Sequence, residues 1–176
     1  EAKRLTDLVQ EIINLSRLQD SDPLQEAQEV SVSYLVKEAI DQSQITADSR
    51  GINVTYSEES PANLLGDRDQ LTMAIQNLIE NAIKYSPDDT PIDIQVQTKP
   101  NALEVRVMDQ GAGIADAWKD KVFQAFERVH ADAAQADATD ATQLRRGMGV
   151  GLAVCKAIAK VHDAKLWVED RDPHGA

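Results

Sequence analysis

Two asparagines and a lysine recur at helical spacing in the segment QNLIENAIKYSP, residues 76–87. On a helix, Asn77, Asn81, Lys84 and Tyr85 lie at i, i+4, i+7 and i+8 and share one face. Carboxamide oxygens suit a hard cation such as Mg²⁺, and a lysine offers a point charge to a phosphate. The face therefore predicts a site for a magnesium nucleotide, although a solvated helix face would carry the same residue types.

A second candidate segment, MDQGAGI, covers residues 108–114 and follows an alternating run directly. Asp109 can accept a hydrogen bond from an exocyclic amine, and Gly111 and Gly113 let the backbone turn and approach a flat ligand. Because Asp and Gly also dominate ordinary turns, a plain turn explains this segment equally well.

Three glycines precede the last predicted helix in RRGMGVGLAV, residues 145–154. Gly147, Gly149 and Gly151 leave main-chain N–H groups open at a helix N-terminus, where phosphate oxygens bind. The segment contains neither GxGxxG nor GxxxxGK[ST], which excludes a Rossmann dinucleotide site and a P-loop. A flexible hinge before a helix is the alternative interpretation.

Periodicity predicts the strands and helices that must position these residues. Period-two alternation predicts strands, and the runs at 92–98 and 102–109 read as an antiparallel hairpin. The predicted strands cover about residues 29–32, 52–57, 63–65, 92–98, 102–109 and 165–170. The aperiodic polar stretch 130–143 is typical of a functional loop.

Apolar spacing of three and four residues predicts the helices. One begins after Ser33 as N-cap and ends at Gly51, and the next opens at a capping box of Asp67 and Gln70 and stops before Pro87. Two further helices are predicted over residues 119–126 and 151–161.

Residues 1–19 predict a separate amphipathic helix, because Leu5, Leu8, Ile12 and Leu15 form one apolar stripe. The polar, turn-prone stretch 20–28 then acts as a linker to a domain over residues 29–176. A coiled coil or four-helix bundle with another chain would bury the stripe, and folding back onto its own domain is the alternative.

Charge and composition exclude several functions. The 176 residues carry a formal net charge of -12, which repels phosphate backbones and anionic lipid, so we expect no nucleic-acid or membrane-surface binding. A small anion held by local backbone amides is still compatible with this charge, because that binding depends on the field within a few ångströms. Cys155 is the single cysteine and allows no internal disulfide, and no apolar run reaches the ~18 residues of a membrane span.

Four segments in order resemble the ATP-binding catalytic domain of bacterial sensor histidine kinases, a branch of the superfamily shared with gyrase B, a heat-shock chaperone and MutL. They are QNLIENAIKYSP, MDQGAGI, FQAFERV and RRGMGVGL. The resemblance implies an α+β fold, a two-layer α/β sandwich with a mixed sheet and helices on one face. It also covers residues 1–19, which end in LSRLQ and resemble the second helix of that family's dimerisation and phosphotransfer hairpin.

The resemblance implies a role for each matching residue. Asn81 would ligate Mg²⁺ with Asn77 assisting, and Asp109 would accept the adenine amino group. Lys84 and Arg128 would reach the phosphates, and with Asn77 they form the implied catalytic set.

Other residues would line the nucleotide pocket. The nucleotide-binding residues that the resemblance implies are Asn77, Asn81, Lys84, Tyr85, Asp109, Gly111, Gly113, Ile114, Phe126, Arg128, Gly147, Gly149, Val150, Gly151 and Leu152. Phe123 and Phe126 match the family's F box beneath a lid over about residues 115–146, whereas periodicity alone reads them as core.

The implied reaction is in-line transfer of the γ-phosphoryl group of Mg-ATP to a histidine, for onward transfer to a response regulator. Hydrolysing relatives carry a water-activating Glu where this chain has Asn77, and a carboxamide cannot take a proton from water, so we expect slow hydrolysis. Glu80 lies on a neighbouring face and is a poorer substitute.

The sequence also departs from the family's pattern. No HELRTP-like acceptor segment occurs, none of His130, His162 and His174 is a credible acceptor, and the family's final strand would follow residue 176. The alternatives are a nucleotide-binding regulatory or scaffold module and a serine kinase of the anti-sigma type. We expect a cytoplasmic fragment, homodimeric in its whole kinase, which another segment would anchor in the cell membrane.

Overall fold

The computed structural model describes residues 27–124, 150–171 and 175, and every structural statement below refers to them. The strands are β1 (Gln28–Ser31), β2 (Asn53–Glu58), β3 (Asn63–Gly66), β4 (Pro91–Lys99) and β5 (Ala102–Met108). The helices are α1 (Val32–Asp48), α2 (Arg68–Tyr85), α3 (Asp116–Lys119) and α4 (Gly151–Val161), with a single 3₁₀ turn at Lys121–Phe123.

The strands form two sheets. The larger has the order β2-β4-β5 and is mixed, because β2 runs parallel to β4 while β4 and β5 form an antiparallel hairpin. The smaller pairs β1 with β3 in antiparallel fashion. In the larger sheet the register places Thr55 of β2 beside Asp93 of β4, and Asp93 beside Met108 of β5.

The main core lies between the larger sheet and helices α1 and α2. On β4, Ile92, Ile94 and Val96 are buried while the intervening residues are only partly covered, which is the alternation expected of a strand with one face on a core. Buried residues of the two helices complete this core, among them Leu35, Val36, Ala39, Ile75, Ile79 and Ile83. The predicted two-layer sandwich with a mixed sheet is confirmed.

Helix α2 begins where the sequence predicts. The Asp67 carboxylate accepts a hydrogen bond from the backbone N–H of Gln70 at 3.0 Å, as an N-cap does. The reciprocal half of the capping box is not made, since the buried Gln70 Oε1 has no hydrogen-bond partner among the described residues.

Three predicted elements need correction. Helix α1 begins at Val32 with Ser31 at the N-cap position, so Ser33 lies in the first turn and only brings its hydroxyl 3.0 Å from that of Ser31. The helix predicted over 119–126 is, as far as the chain is described, the short α3 followed by the 3₁₀ turn.

The third correction concerns the strand predicted over residues 165–170, because that segment forms none. Leu166 and Val168 are half-buried and Trp167 is exposed, so the alternation is real. Two ion pairs of side chains, Arg106 with Glu169 and Lys119 with Asp170, connect the segment to the rest of the fold, whereas a strand requires a ladder of backbone hydrogen bonds.

The predicted N-terminal helix, the linker up to residue 26 and the polar loop at 130–143 lie outside the described residues. Among the helices that are described, none is long and apolar enough to cross a membrane.

We predict that Ile79→Ala lowers the free energy of unfolding by about 2–5 kcal/mol, because the Ile79 side chain is fully buried between α2 and the sheet and its removal leaves a cavity. Urea unfolding followed by circular dichroism measures the change. Ile45→Ala is the matched control, since Ile45 is 85% exposed on α1 and its truncation should change stability by no more than about 0.5 kcal/mol. Equal losses in both variants would contradict the assigned core.

Candidate functional site

Helix α2 and the start of α4 meet at the predicted amide face. The side-chain nitrogen of Asn77 donates a hydrogen bond to the main-chain oxygen of Gly151 at 3.3 Å. A Cβ added to Gly151 would lie 3.8 Å from the Asn77 side chain, an ordinary contact distance, so this side chain is the nearest neighbour of the glycine across the two helices. The two segments that the sequence linked to a phosphate and its metal are therefore neighbours in space.

The seam between α2 and α4 is apolar away from this contact. Val150, Val154 and Ile158 are buried against partly buried residues of α2, which are Leu71, Met73 and Ala74. Val150, predicted in the nucleotide site, is 1% exposed and therefore packs in this seam as a core residue. Its neighbour Leu152 is half-buried.

A histidine fastens the far end of the same seam. The Nε2 atom of His162, just after α4, accepts a hydrogen bond from the backbone N–H of Asp67 at 3.0 Å. The ring proton is therefore on Nδ1, which donates to the main-chain oxygen of Ile158 at 2.8 Å. The sequence only excludes His162 as a phosphoryl acceptor, whereas in the structure it holds α4 against the start of α2.

Cys155 lies behind the amide face and was not among the predicted site residues. It follows Gly151 by one helical turn, is 2% exposed, and its thiol donates to the main-chain oxygen of Ala74 at 3.3 Å. Burial raises the pKa of the Cys155 thiol to about 12, and a hydrogen bond from Asn77 offsets part of that rise. The i+4 spacing from Gly151, which places Cys155 on the same face of α4, was the sequence signal that could have identified it.

The second half of the amide face continues toward the C-terminus of α2. Asn81 and Lys84 are half-buried, and Tyr85 is 63% exposed. The Lys84 ammonium lies 4.8 Å from the centre of the Tyr85 ring, a cation–π distance. All four predicted residues of this helix are thus near or at its surface, on the side away from the buried isoleucines.

An arginine from a distant turn holds the C-terminus of α2. Arg50 donates to the main-chain oxygen of Ile83 and, at 2.7 Å, to that of Ser86, and it pairs with Asp88 at 2.7 Å. A cation that bonds the last carbonyls of a helix satisfies acceptors that the helix cannot satisfy itself. Arg50 was not predicted, because it lies 33 residues before Ile83 in the chain.

The Asp–Gly segment after β5 packs against this same end of α2. The Asp109 carboxylate accepts a hydrogen bond from the Gly111 N–H at 2.7 Å, which fixes its orientation within the loop. Gly111 is buried, and an added Cβ would lie 2.8 Å from the main-chain oxygen of Tyr85, so only glycine allows this approach. Gly113 has φ +74°, which favours glycine, and Ile114 is half-buried.

Several predicted residues cannot be placed. Phe123 is buried, as both the F box and plain core packing predict. Four other predicted residues lie outside the described residues: Phe126, Arg128, Gly147 and Gly149. A concavity on α1, lined by Tyr34, Lys37, Glu38, Asp41 and Gln42, includes none of the predicted site residues.

The donor chemistry fits a magnesium ion that is held mainly by phosphate and water. The described residues contain no group of three or more His, Cys, Asp or Glu side chains that could hold a metal. The nitrogen of Asn77 bonds to α4, and the carboxamide oxygens of Asn77 and Asn81 are hard neutral donors of the type that would suit such an ion. Mg²⁺ commonly takes few protein ligands in addition to water and substrate phosphates.

An amide-bearing helix, an Asp–Gly loop and a helix N-terminus on one mixed α/β sandwich are the features expected of a nucleotide-binding domain of the ATPase type. The family model of histidine kinase-, DNA gyrase B- and HSP90-like ATPases matches residues 66–176, and the chain belongs to this family.

Individual proteins resemble the chain over larger parts of its length. It is 37% identical over 176 residues to the sensor-like histidine kinase SenX3 of Mycobacterium tuberculosis, covering 100% of this chain and 41% of that protein. The mycobacterial sensor histidine kinase MprB superimposes with a TM-score of 0.69 at 25% identity, covering 84% of this chain and 87% of that one. ShkA, solved full-length in complex with AMPPNP, gives a TM-score of 0.78 at 21% identity over 97% of this chain and 34% of that one. The chain thus spans about two fifths of the curated relative that it matches.

We predict that Cys155 in the native protein reacts with an aromatic disulfide reagent at pH 8 at least about a hundredfold more slowly than in the urea-unfolded chain. The raised pKa keeps the thiolate fraction small, and burial blocks access. Stopped-flow absorbance measures both rates, and Cys155→Ser supplies the blank. Rapid and complete reaction of the native protein would contradict the packing of this residue against α2.

Proposed function

We propose that this chain is the ATP-binding catalytic segment of a sensor histidine kinase, which binds Mg-ATP and transfers the γ-phosphoryl group to a histidine of the kinase's dimerisation helices. The observation that carries the proposal is the contact of Asn77 with Gly151, because it joins the amide face to the helix start that would receive the phosphates. Family membership and the similarity to SenX3 along the whole chain support it.

The adenine end of the nucleotide would lie at the loop after β5. The Asp109 carboxylate, already oriented by the Gly111 N–H at 2.7 Å, would accept the adenine amino group. The glycines of the loop permit close approach of a flat base, as the contact of Gly111 with the main chain of Tyr85 illustrates.

The phosphate end would lie along the amide face. The carboxamide oxygens of Asn81 and Asn77 would hold Mg²⁺, which when bound neutralises charge on the phosphate oxygens. Lys84 would add a point charge beside the phosphates, and Arg128, Gly147 and Gly149 would complete this end from the lid. The N–H groups at the start of α4, near Gly151, would donate hydrogen bonds to phosphate oxygens.

Transfer to a protein histidine fits these residues better than hydrolysis. Asn77 has no basic group with which to activate water, and the exposed Glu80 is bonded to Gln76 at 2.9 Å on another face of α2. In the transfer, the bond from the γ-phosphorus to the β,γ-bridging oxygen breaks, a bond to an imidazole nitrogen forms, and ADP leaves. The imidazole releases its proton to solvent.

The rest of the proposal concerns the whole kinase. Residues 1–19 would be part of the second dimerisation helix, 20–28 a linker, and 29–176 the catalytic domain of a homodimer. A response regulator would receive the phosphoryl group from the histidine. The domain would work in the cytoplasm, with a separate segment of the kinase in the cell membrane.

We predict that Asn81→Ala weakens ATP binding at least about tenfold in the presence of Mg²⁺, because it removes a proposed ligand of the ion. In EDTA the variant and the wild type should bind ATP equally, since the lost interaction passes through the metal. Isothermal titration calorimetry measures both conditions. Gln76→Ala is the control, because it removes a carboxamide from another face of the same helix. Unchanged Mg²⁺-dependent affinity in Asn81→Ala would refute the assignment.

We also predict an acid-labile phosphate when the chain and Mg-ATP are mixed with the acceptor hairpin of its own kinase. Phosphohistidine is labile to acid and phosphoserine is stable, so the chemistry of the product identifies the activity. Radiolabel transfer with and without acid treatment measures it, and a hairpin whose acceptor histidine is replaced by glutamine is the control. ATP binding without any transfer would favour a regulatory module, and acid-stable label would favour a serine kinase.

A further inference from the structure

Arg171 joins the segment after α4 to the end of the larger sheet. One terminal nitrogen of its guanidinium lies 2.5 Å from an oxygen of the Asp93 carboxylate on β4. The other donates to the main-chain oxygens of Met108 and Asp109, each at 3.4 Å. A single side chain therefore connects the central strand to the residue proposed to recognise adenine.

The anchor of this arginine is itself well fixed. Thr55 on β2 donates its hydroxyl to the second oxygen of Asp93 at 2.7 Å, so both carboxylate oxygens have partners. This hydrogen bond and the ion pair with Arg171 hold the pKa of Asp93 below its usual range. The register of the three strands places Thr55 beside Asp93 and Asp93 beside Met108. The Arg171 guanidinium therefore bonds to the same row of residues that runs across β2, β4 and β5.

A second contact presses the same segment against the Asp109 loop. The backbone N–H of Arg171 donates a hydrogen bond to the main-chain oxygen of Gly175 at 3.1 Å. Gly175 has φ +119°, and an added Cβ would lie 2.1 Å from the main-chain oxygen of Asp109. On Gly113 an added Cβ would lie 3.3 Å from the Gly175 oxygen. The main chain at Asp109 is therefore supported from outside the loop as well as within it.

The direction of the Asp109 carboxylate follows from these contacts. Its main-chain oxygen is held by Arg171, and its side chain is held by Gly111, so neither end turns without breaking a bond. The Arg171 guanidinium forms an ion pair with Asp93 and donates hydrogen bonds to backbone carbonyls. Arg171 therefore stabilises the loop and is not placed to bind a phosphate.

We propose that Arg171 is a positioning residue for base recognition, which sets the Asp109 carboxylate to accept the 6-amino group of adenine. The inference rests on the proposed function, because it assumes that Asp109 reads that amino group. Arg171 does not contact the nucleotide itself, and it acts only through the main chain of Asp109.

A pair of nucleotides separates this role from a general effect on folding. ATP and purine riboside 5′-triphosphate differ at the base by the 6-amino group alone, so the ratio of their affinities reports how well that group is read. For the wild type we expect ATP to bind at least about tenfold more tightly. In Arg171→Met this preference should shrink at least about threefold, and in Arg171→Lys it should also fall, because lysine lacks the planar fork that reaches both the carboxylate and the carbonyls.

Two further variants calibrate the measurement. Arg106→Met is the matched control, since Arg106 also joins β5 to the segment after α4, through its ion pair with Glu169, while its pair with Glu104 lies within β5; the ratio should be unchanged. Asp109→Asn removes the charged acceptor and should itself reduce the preference. In the Asp109→Asn background, Arg171→Met should have little further effect, because both substitutions act on the same recognition.

Each result has a distinct meaning. Equal losses of affinity for both nucleotides in Arg171→Met, or an unchanged ratio, overturn the inference while the proposed function stands. A wild type that binds the two nucleotides equally overturns both the inference and the proposed role of Asp109, because Asp109 then does not read the amino group. Thermal unfolding of every variant establishes that it is folded, and if Arg171→Met is not, Arg171→Lys carries the same comparison.

Discussion

Helix α2 is packed on two sides at once, and the rest of the site depends on this constraint. Ile75, Ile79 and Ile83 bury one side against the sheet, while Ala74 belongs to the seam with α4. A helix held on two sides has little freedom to rotate, because rotation would expose apolar surface at about 25 cal/mol per Å². The amide face that remains is therefore presented in one orientation, beside the start of α4.

The other parts of the site are each held in place by contacts with α2. His162, after α4, accepts a hydrogen bond from Asp67, the residue before α2, and Arg50 donates hydrogen bonds to carbonyls at the C-terminus of α2. Gly111 brings the Asp109 loop against the main chain of Tyr85. The described residues proposed for the adenine end and for the phosphate end are thus positioned by helix α2. This suits a reaction whose catalysis is largely positioning.

An acidic protein can bind a polyanion only where its local field is favourable. The net charge of -12 opposes a phosphate chain at long range, but screening limits that opposition to about 8–10 Å in physiological salt. Within that distance, the proposed site offers neutral amide oxygens for a cation, one lysine and the open N–H groups of a helix start. This arrangement is compatible with a metal-bound nucleotide.

The sequence alone determined the elements whose signals are local. Alternation in β4 and β5, the cap at Asp67 and the helical spacing of Asn77 and Asn81 depend on neighbours within a few residues, and the structure has each of them. Only the tertiary structure decided contacts between distant segments: Arg171 with Asp93, 78 residues away, and Cys155 behind Asn77. It also decided that the alternating run 165–170 forms no strand, because periodicity describes the side chains of a segment whereas a ladder depends on the backbone beside it.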